Sequence, residues 1–174
     1  MKQYMILFLV GRDRPGIVDD VSKVLLHHDA NIEDSRGATL GGCFSVMVLF
    51  SVEADRMPAV RQGFKELERM GFEWSLHEAN DPAALPREAE LPLKIQVTAM
   101  DHPGIVQAVV GILRKFNVNV ESLTTRVTQA PYSGAPLFGL ELSAQVPADQ
   151  PVAKVKQGLS DLAAEMNLDL TFPK

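Results

Sequence analysis

Asp13-Arg14-Pro15-Gly16-Ile17-Val18 recurs as Asp101-His102-Pro103-Gly104-Ile105-Val106, displaced by 88 residues. The same displacement carries Asn31-Ile32-Glu33 onto Asn119-Val120-Glu121, so the two copies stay in register well beyond the motif. Further on, Phe44-Ser45-Val46 aligns with Phe138-Gly139-Leu140 at a displacement of 94, which places six extra residues of the second copy within 128–136. Between the copies, the Pro-containing and acidic stretch 80–90 reads as a linker. The 174 residues therefore divide into an expected domain over 1–79, a linker over 80–90 and a second domain over 91–174.

Each copy repeats one order of patterns. Short apolar runs at 5–10 and 93–99 predict strands. Ile17, Val21, Val24 and Leu25, matched by Ile105, Val109, Ile112, Leu113 and Phe116, fall at helical spacing. Pro15 and Pro103 are expected near the first helical turn, where a missing N–H is tolerated. The helices should stop near His28 and Phe116, with Asp29 and Asn117 placed where a left-handed residue ends a helix. Strands follow at 32–39 and 120–128, then at 44–51 and 137–146. A second helix carries Val60, Phe64, Leu67 and Met70, or Val155, Leu159, Leu162 and Met166, before last strands at 73–77 and 168–172. The order is βαββαβ twice. It is an α+β chain of two ferredoxin-like domains, each an antiparallel four-stranded sheet with two helices on one face.

Composition narrows the function. Seventeen basic against 22 acidic residues argue against direct nucleic-acid binding, and the basic residues form no stripe. The strand stretches Ile6-Leu7-Phe8 and Ile95-Gln96-Val97 lack the aromatic platform an RNA-binding sheet of this plan would present. One cysteine supplies neither a disulfide nor a thiolate metal cluster, which fits a cytoplasmic protein. The apolar run 5–10 is too short for a signal or membrane segment, so a soluble, unprocessed chain is expected. His27, His28, His77 and His102 show no metal-ligand spacing, and no nucleophile elbow or phosphate loop occurs. Cys43 follows Gly41-Gly42 at an expected hairpin, with no basic neighbour to activate it. No cofactor, metal or catalytic residue is expected.

Three duplicated residue types remain as binding candidates. Gly16 and Gly104 each follow a strand and open a helix, where unpaired N–H groups and the positive end of the helix dipole favour an anion, and where no Cβ blocks its approach. A tight Pro-Gly turn alone would also explain them. Asp13 and Asp101 stand beside the same helix start, suited either to a ligand's ammonium group or to capping the helix. Asn31 and Asn119 enter the second strands with an amide donor and acceptor, or serve turn geometry. An acid, a glycine turn and an asparagine together complement a zwitterion, which is what a small amino acid is.

With these residues in view, the chain resembles the ACT-domain family, βαββαβ modules that bind amino acids and regulate enzymes or transcription. The resemblance spans both copies through Asp-Arg-Pro-Gly-Ile-Val with Asn-Ile-Glu-Asp-Ser-Arg, and Asp-His-Pro-Gly-Ile-Val with Asn-Val-Glu-Ser-Leu-Thr-Thr-Arg. The second copy's Thr-Thr-Arg and Ala-Pro-Tyr-Ser-Gly-Ala-Pro-Leu-Phe look like the tandem-ACT group named for the glycine cleavage system transcriptional repressor. That resemblance implies a ligand between the strand-to-helix loop of one module and the second strand of its neighbour, touching Asp13, Gly16 and Asn31 or Asp101, Gly104 and Asn119. The serine-sensing branch usually carries Asn where this chain has Asp13 and Asp101, which adds negative charge beside the expected ligand. The resemblance also implies action on a protein partner such as a transcription activator, without direct nucleic-acid contact.

The expectation is a non-enzymatic, homo-oligomeric regulator. Its two copies pair side by side, and a glycine- or serine-like amino acid at ACT–ACT interfaces controls a partner protein, as in transcriptional regulation of glycine metabolism. Two alternatives stand beside it. One is a structural assembly subunit without ligand. The other is an acylphosphatase-like hydrolase using Arg12 or Arg14, although the aligned Met100 and His102 leave the second copy without that arginine.

Overall fold

The structure, a computed structural model, describes residues 1–85, 89–131 and 133–173. The first copy forms β1 (Lys2–Arg12), α1 (Ile17–His27), β2 (Asn31–Leu40), β3 (Cys43–Glu53), α2 (Met57–Arg69) and β4 (Phe72–Ala79). The second forms β5 (Glu90–Met100), α3 (Ile105–Lys115), β6 (Asn119–Gln129), β7 (Pro136–Pro147), α4 (Val152–Met166) and β8 (Asp169–Thr171). The chain separates into two compact units, Met1–Pro86 and Arg87–Lys174. Of the expected linker, residues 86–88 lie outside those described, and Glu90 already opens β5.

The sheets have the orders β2-β3-β1-β4 and β6-β7-β5-β8, with antiparallel pairing between all neighbours among the described residues, which is the expected ferredoxin-like plan twice. Alternation in the central strands decides which face is covered. Met5, Leu7 and Leu9 of β1 are buried, as are Leu93, Ile95 and Val97 of β5. They meet Ile17, Val21 and Leu25 of α1 with Val60, Phe64 and Leu67 of α2, or Ile105, Val109 and Leu113 of α3 with Val155 and Leu159 of α4. The opposite face of each sheet carries no helix of its own module.

Helix ends follow local chemistry. Asp29 and Asn117 both take φ 54°, and the next N–H groups, of Ala30 and Val118, return to the carbonyls of Leu25 and Leu113 at 3.0 Å. Pro15 and Pro103 stand just before the first turn, and the cap residues are Gly16 and Gly104 in left-handed conformation. The Gly41-Gly42 turn, with φ 58° and 82°, closes a two-residue hairpin between Leu40 and Cys43. In the second unit the ladder runs to Gln129 and Pro136, and the added residues extend the strands and enlarge the loop; residue 132 of that loop lies outside the described residues.

A second duplicated glycine was not part of the sequence expectation. Gly63 of α2 lets α1 approach so closely that a Cβ would stand 2.8 Å from Val24 Cγ1 and 3.1 Å from His28 Nε2. Gly158 of α4 faces Ile112 and Phe116 at 3.4 Å in the same role. Each helix pair crosses on a missing side chain.

Candidate functional site

The strand-to-helix turn after β1 is fixed by its backbone. Asp13 N–H donates to Gly42 O at 2.9 Å, tying the end of β1 to the β2–β3 hairpin, and Asp101 N–H does the same to Pro136 O at 3.0 Å. The chain then reverses into α1 through Gly16 at φ 91°, ψ 0°, and into α3 through Gly104 at φ 102°, ψ −14°. Neither helix start carries a side-chain cap. The first N–H groups of a helix have no intrahelical acceptor, so each turn leaves oriented donors at the positive end of a dipole. Asp13 and Asp101 therefore do not serve as caps.

In the first unit this turn opens onto a depression of about 230 Å³, lined by Asp13, Gly16, Ile17, Thr39 and Phe44 among others. Thr39, near the end of β2, donates its hydroxyl to Asp13 Oδ2 at 3.3 Å. Asp19 lines the depression as well, and so does Arg14, which its neighbours hold in place. Its Nη2 pairs with Asp20 Oδ2 at 2.7 Å, its Nη1 donates to Pro15 O at 3.1 Å, and its guanidinium lies 5.1 Å above the Phe72 ring. The result is a donor-rich helix start set among Asp13, Asp19 and Arg14, with hydroxyl and aromatic walls.

The two turns are not electrostatically equal. The first turn of α1 contains Asp19 and Asp20, each matched by a cation: Lys23 pairs with Asp19, and Arg14 with Asp20. The first turn of α3 contains no acid, so its dipole faces the solvent uncompensated. His102 stands in place of Arg14, with Nδ1 3.1 Å from Pro103 O, and Val127 occupies the register position of Thr39.

Asn31 and Asn119 lie elsewhere. Each opens its edge strand beyond the far end of an eleven-residue helix, which spans about 16 Å. Within one module the structure brings Asp13 and Gly16 together and leaves Asn31 at the opposite end. Asn31 Nδ2 donates to Glu33 Oε1 at 3.1 Å, and Ser51 Oγ donates to the same oxygen at 2.6 Å. Those bonds, Ser51 first, hold the Glu33 carboxyl below its ordinary range, with the charge of Lys2 adding to the effect. Glu33 sits at a β-bulge between Ile32 and Asp34, and Glu121 sits at the matching irregularity between Val120 and Ser122, where Gln145 Nε2 donates to it at 3.3 Å. The residue pattern alone does not single out this bulge glutamate as a candidate. Its only sequence signal is its place in the duplicated Asn-x-Glu.

Every residue of β2 is exposed, and every residue of β6 except Val120 is exposed. Both strands lie at the end of their sheet, so their outer backbone groups face no strand of the same module. The remaining candidates are dispersed. Cys43 is exposed at the start of β3, His27 and His28 meet edge-on with ring centroids 5.0 Å apart, and His77 meets Phe8 at 5.2 Å. Among the described residues no group of three or more His, Cys, Asp or Glu side chains is arranged to hold a metal ion. No described helix is long and apolar enough to cross a membrane.

Residues 3–77 match the family model described as the ACT domain. The chain is 25% identical over 168 residues to a glycine cleavage system transcriptional repressor of Escherichia coli strain K12, a match that covers 95% of this chain and 87% of that protein. A UPF0237 protein of Methanopyrus kandleri is 39% identical over 69 residues, covering 39% of this chain and 74% of its own. A solved structure of an unknown protein from Galdieria sulphuraria superposes with a TM-score of 0.85 at 30% identity, covering 99% of this chain and 98% of that one.

Proposed function

The chain belongs to the ACT-domain family, and on that premise we propose that it is a non-enzymatic regulator whose signal is a small amino acid. The ligand sits where the strand-to-helix turn of one ACT module meets the edge strand of a neighbouring module. The observation that carries this reading is the uncapped, glycine-opened start of α1 standing beside Asp13. Backbone N–H groups take the α-carboxylate, and the Asp13 carboxylate takes the ammonium group. Gly104 and Asp101 offer the same pair at α3. An antiparallel neighbour on the exposed edge brings its Asn31 toward the Thr39 end of β2, which supplies the third member of the set from outside the module. The resulting pocket fits a short side chain, as in glycine or serine.

Binding there regulates only through differential affinity for two states of the protein, with and without its partner. The likeness to a glycine cleavage system transcriptional repressor over nearly the whole chain supports a role in the control of glycine metabolism, and the excess of acidic over basic residues favours a protein partner, such as a transcription activator, over DNA. Isothermal calorimetry and thermal shift with glycine, serine, alanine and branched-chain amino acids test the ligand, and co-purification of partners with and without it tests the output. Heat and stabilisation with one small amino acid support the reading. Absence of response to all of them removes the sensor and leaves an assembly module. Arg14 gives the hydrolase alternative no support, since its guanidinium is already committed to Asp20, Pro15 and Phe72.

A further inference from the structure

The duplication supplies an internal control for the face of each sheet that its helices leave open. In the first unit that face is built by Ile6, Phe8 and Val10 of β1 with Met47 and Leu49 of β3, since the register sets Phe8 opposite Met47 and Ile6 opposite Leu49. At the corresponding positions the second unit carries Lys94, Gln96 and Thr98 of β5 with Glu141 and Ser143 of β7. All five positions are apolar in one copy and polar in the other. The helix-facing positions of the same strands are apolar in both. The fold therefore does not require an apolar open face, because the second copy folds without one.

Phe8, Val10 and Met47 are 39%, 41% and 45% exposed, and they stand together on the two central strands. Scattered exposed apolar residues need no explanation, but a contiguous patch framed by polar residues marks an interaction surface. The frame here is Asp34 and Arg36 on β2 and Glu73, Ser75 and His77 on β4. We propose that this face of the first module is a self-association surface, covered by the same face of a second copy of the chain.

The choice of occupant rests on three observations. Two sheets pack face to face only when both inner faces are apolar, and among the described residues the chain carries one such open face. Four strands about 4.8 Å apart and some ten residues long present roughly 600 Å². A symmetric pair would then bury roughly 1,200 Å², at the lower end of stable interfaces. The frame is also self-complementary. A two-fold axis along the strands lays the β2 edge of one copy over the β4 edge of the other, where the register sets Asp34 level with His77 and Arg36 level with Ser75. This surface is separate from the helix-start turns and does not depend on ligand binding.

The test transplants residues that the fold already accepts in the second copy. Sedimentation equilibrium of the full chain should show a monomer–dimer equilibrium, and Phe8→Gln with Met47→Glu should weaken it by about 100-fold or more, since each change acts twice in a symmetric interface. Circular dichroism checks that the variant folds; if it does not, the single exchange Met47→Glu at an exposed position gives the same readout. Leu26→Gln, on the exposed side of α1, should leave the dimer intact. A chain that stays monomeric up to about 100 µM, where even a micromolar interface is populated, overturns the proposal. So does an association whose strength the transplanted residues leave unchanged, because another surface, such as the β2 edge, then holds the copies together.

Discussion

The buried hydroxyl of Ser51, 2% exposed, holds the carboxylate of Glu33 at 2.6 Å and so pins the bulge of an otherwise fully exposed edge strand to the strand beside it. Replacing Ser51 with Ala should return the Glu33 carboxyl upward toward its ordinary range, because the first of the effects lowering it is removed. The sign for stability follows. A carboxyl whose folded pKa is depressed contributes stability above the ordinary carboxylate range, and loses it as pH falls through the folded value. The difference in urea midpoint between wild type and Ser51→Ala should therefore be widest near about pH 7 and narrow by about pH 3. A gap independent of pH would assign the effect of Ser51 to packing alone.

Gly16 and Gly104 separate backbone strain from steric fit. A Cβ at Gly16 would meet only Arg14 Nη1 at 3.7 Å, and one at Gly104 would meet nothing within 4 Å, yet both residues are left-handed. Alanine at either should cost about 1–2 kcal/mol through conformation, read by denaturant melts. If the turn holds the amino-acid carboxylate, the added methyl group also intrudes on the ligand. Calorimetric affinity should then fall by at least about tenfold, beyond anything the lost stability explains.

Gly11 makes a packing prediction instead. A Cβ there would stand 2.3 Å from Phe72 Cδ1 and 3.2 Å from Gly71 O, so Gly11→Ala should destabilise by about 1–3 kcal/mol. The second copy carries Ala99 and Leu168 at the corresponding positions, both buried. The double exchange Gly11→Ala with Phe72→Leu should recover part of the loss. Thermal melts of the three chains decide it.

The helix ends offer a simpler comparison. Asn117 adopts φ 54° just beyond α3, a region asparagine tolerates better than most residues. Asn117→Ala should lose about 1 kcal/mol, while Asn117→Gly should be close to neutral. Equal losses in both variants would point to a side-chain role for the amide.

The fold was legible because a six-residue string and its surroundings recur in register, and because the helix-facing residues keep their period in both copies. Asp29 and Asn117 were legible for a local reason: each follows a helical pattern and belongs to a type that accepts the left-handed region. The edge strands were harder. β2 is exposed on both faces, so no alternation marks the bulge at Glu33, and only the register with β3 reveals it. The site was legible in part. Asp13 and Gly16 are neighbours in sequence and in space, whereas Asn31 is separated from them by the length of a helix. Sequence proximity to a helix says nothing about which of its ends a residue will share. The open sheet face was in the sequence from the start, since Ile6, Phe8 and Val10 alternate with Leu7 and Leu9, but a run apolar on both faces reads as one buried strand until a sheet separates them.

Cys43 pairs in register with Arg12, one residue before Asp13, and it is exposed at the mouth of the hairpin whose Gly42 carbonyl receives the Asp13 N–H. It is also the chain's single cysteine. The unaltered protein thus comes with its own labelling handle beside the candidate pocket. A thiol-reactive dye placed there would turn occupancy of the first turn into a fluorescence signal.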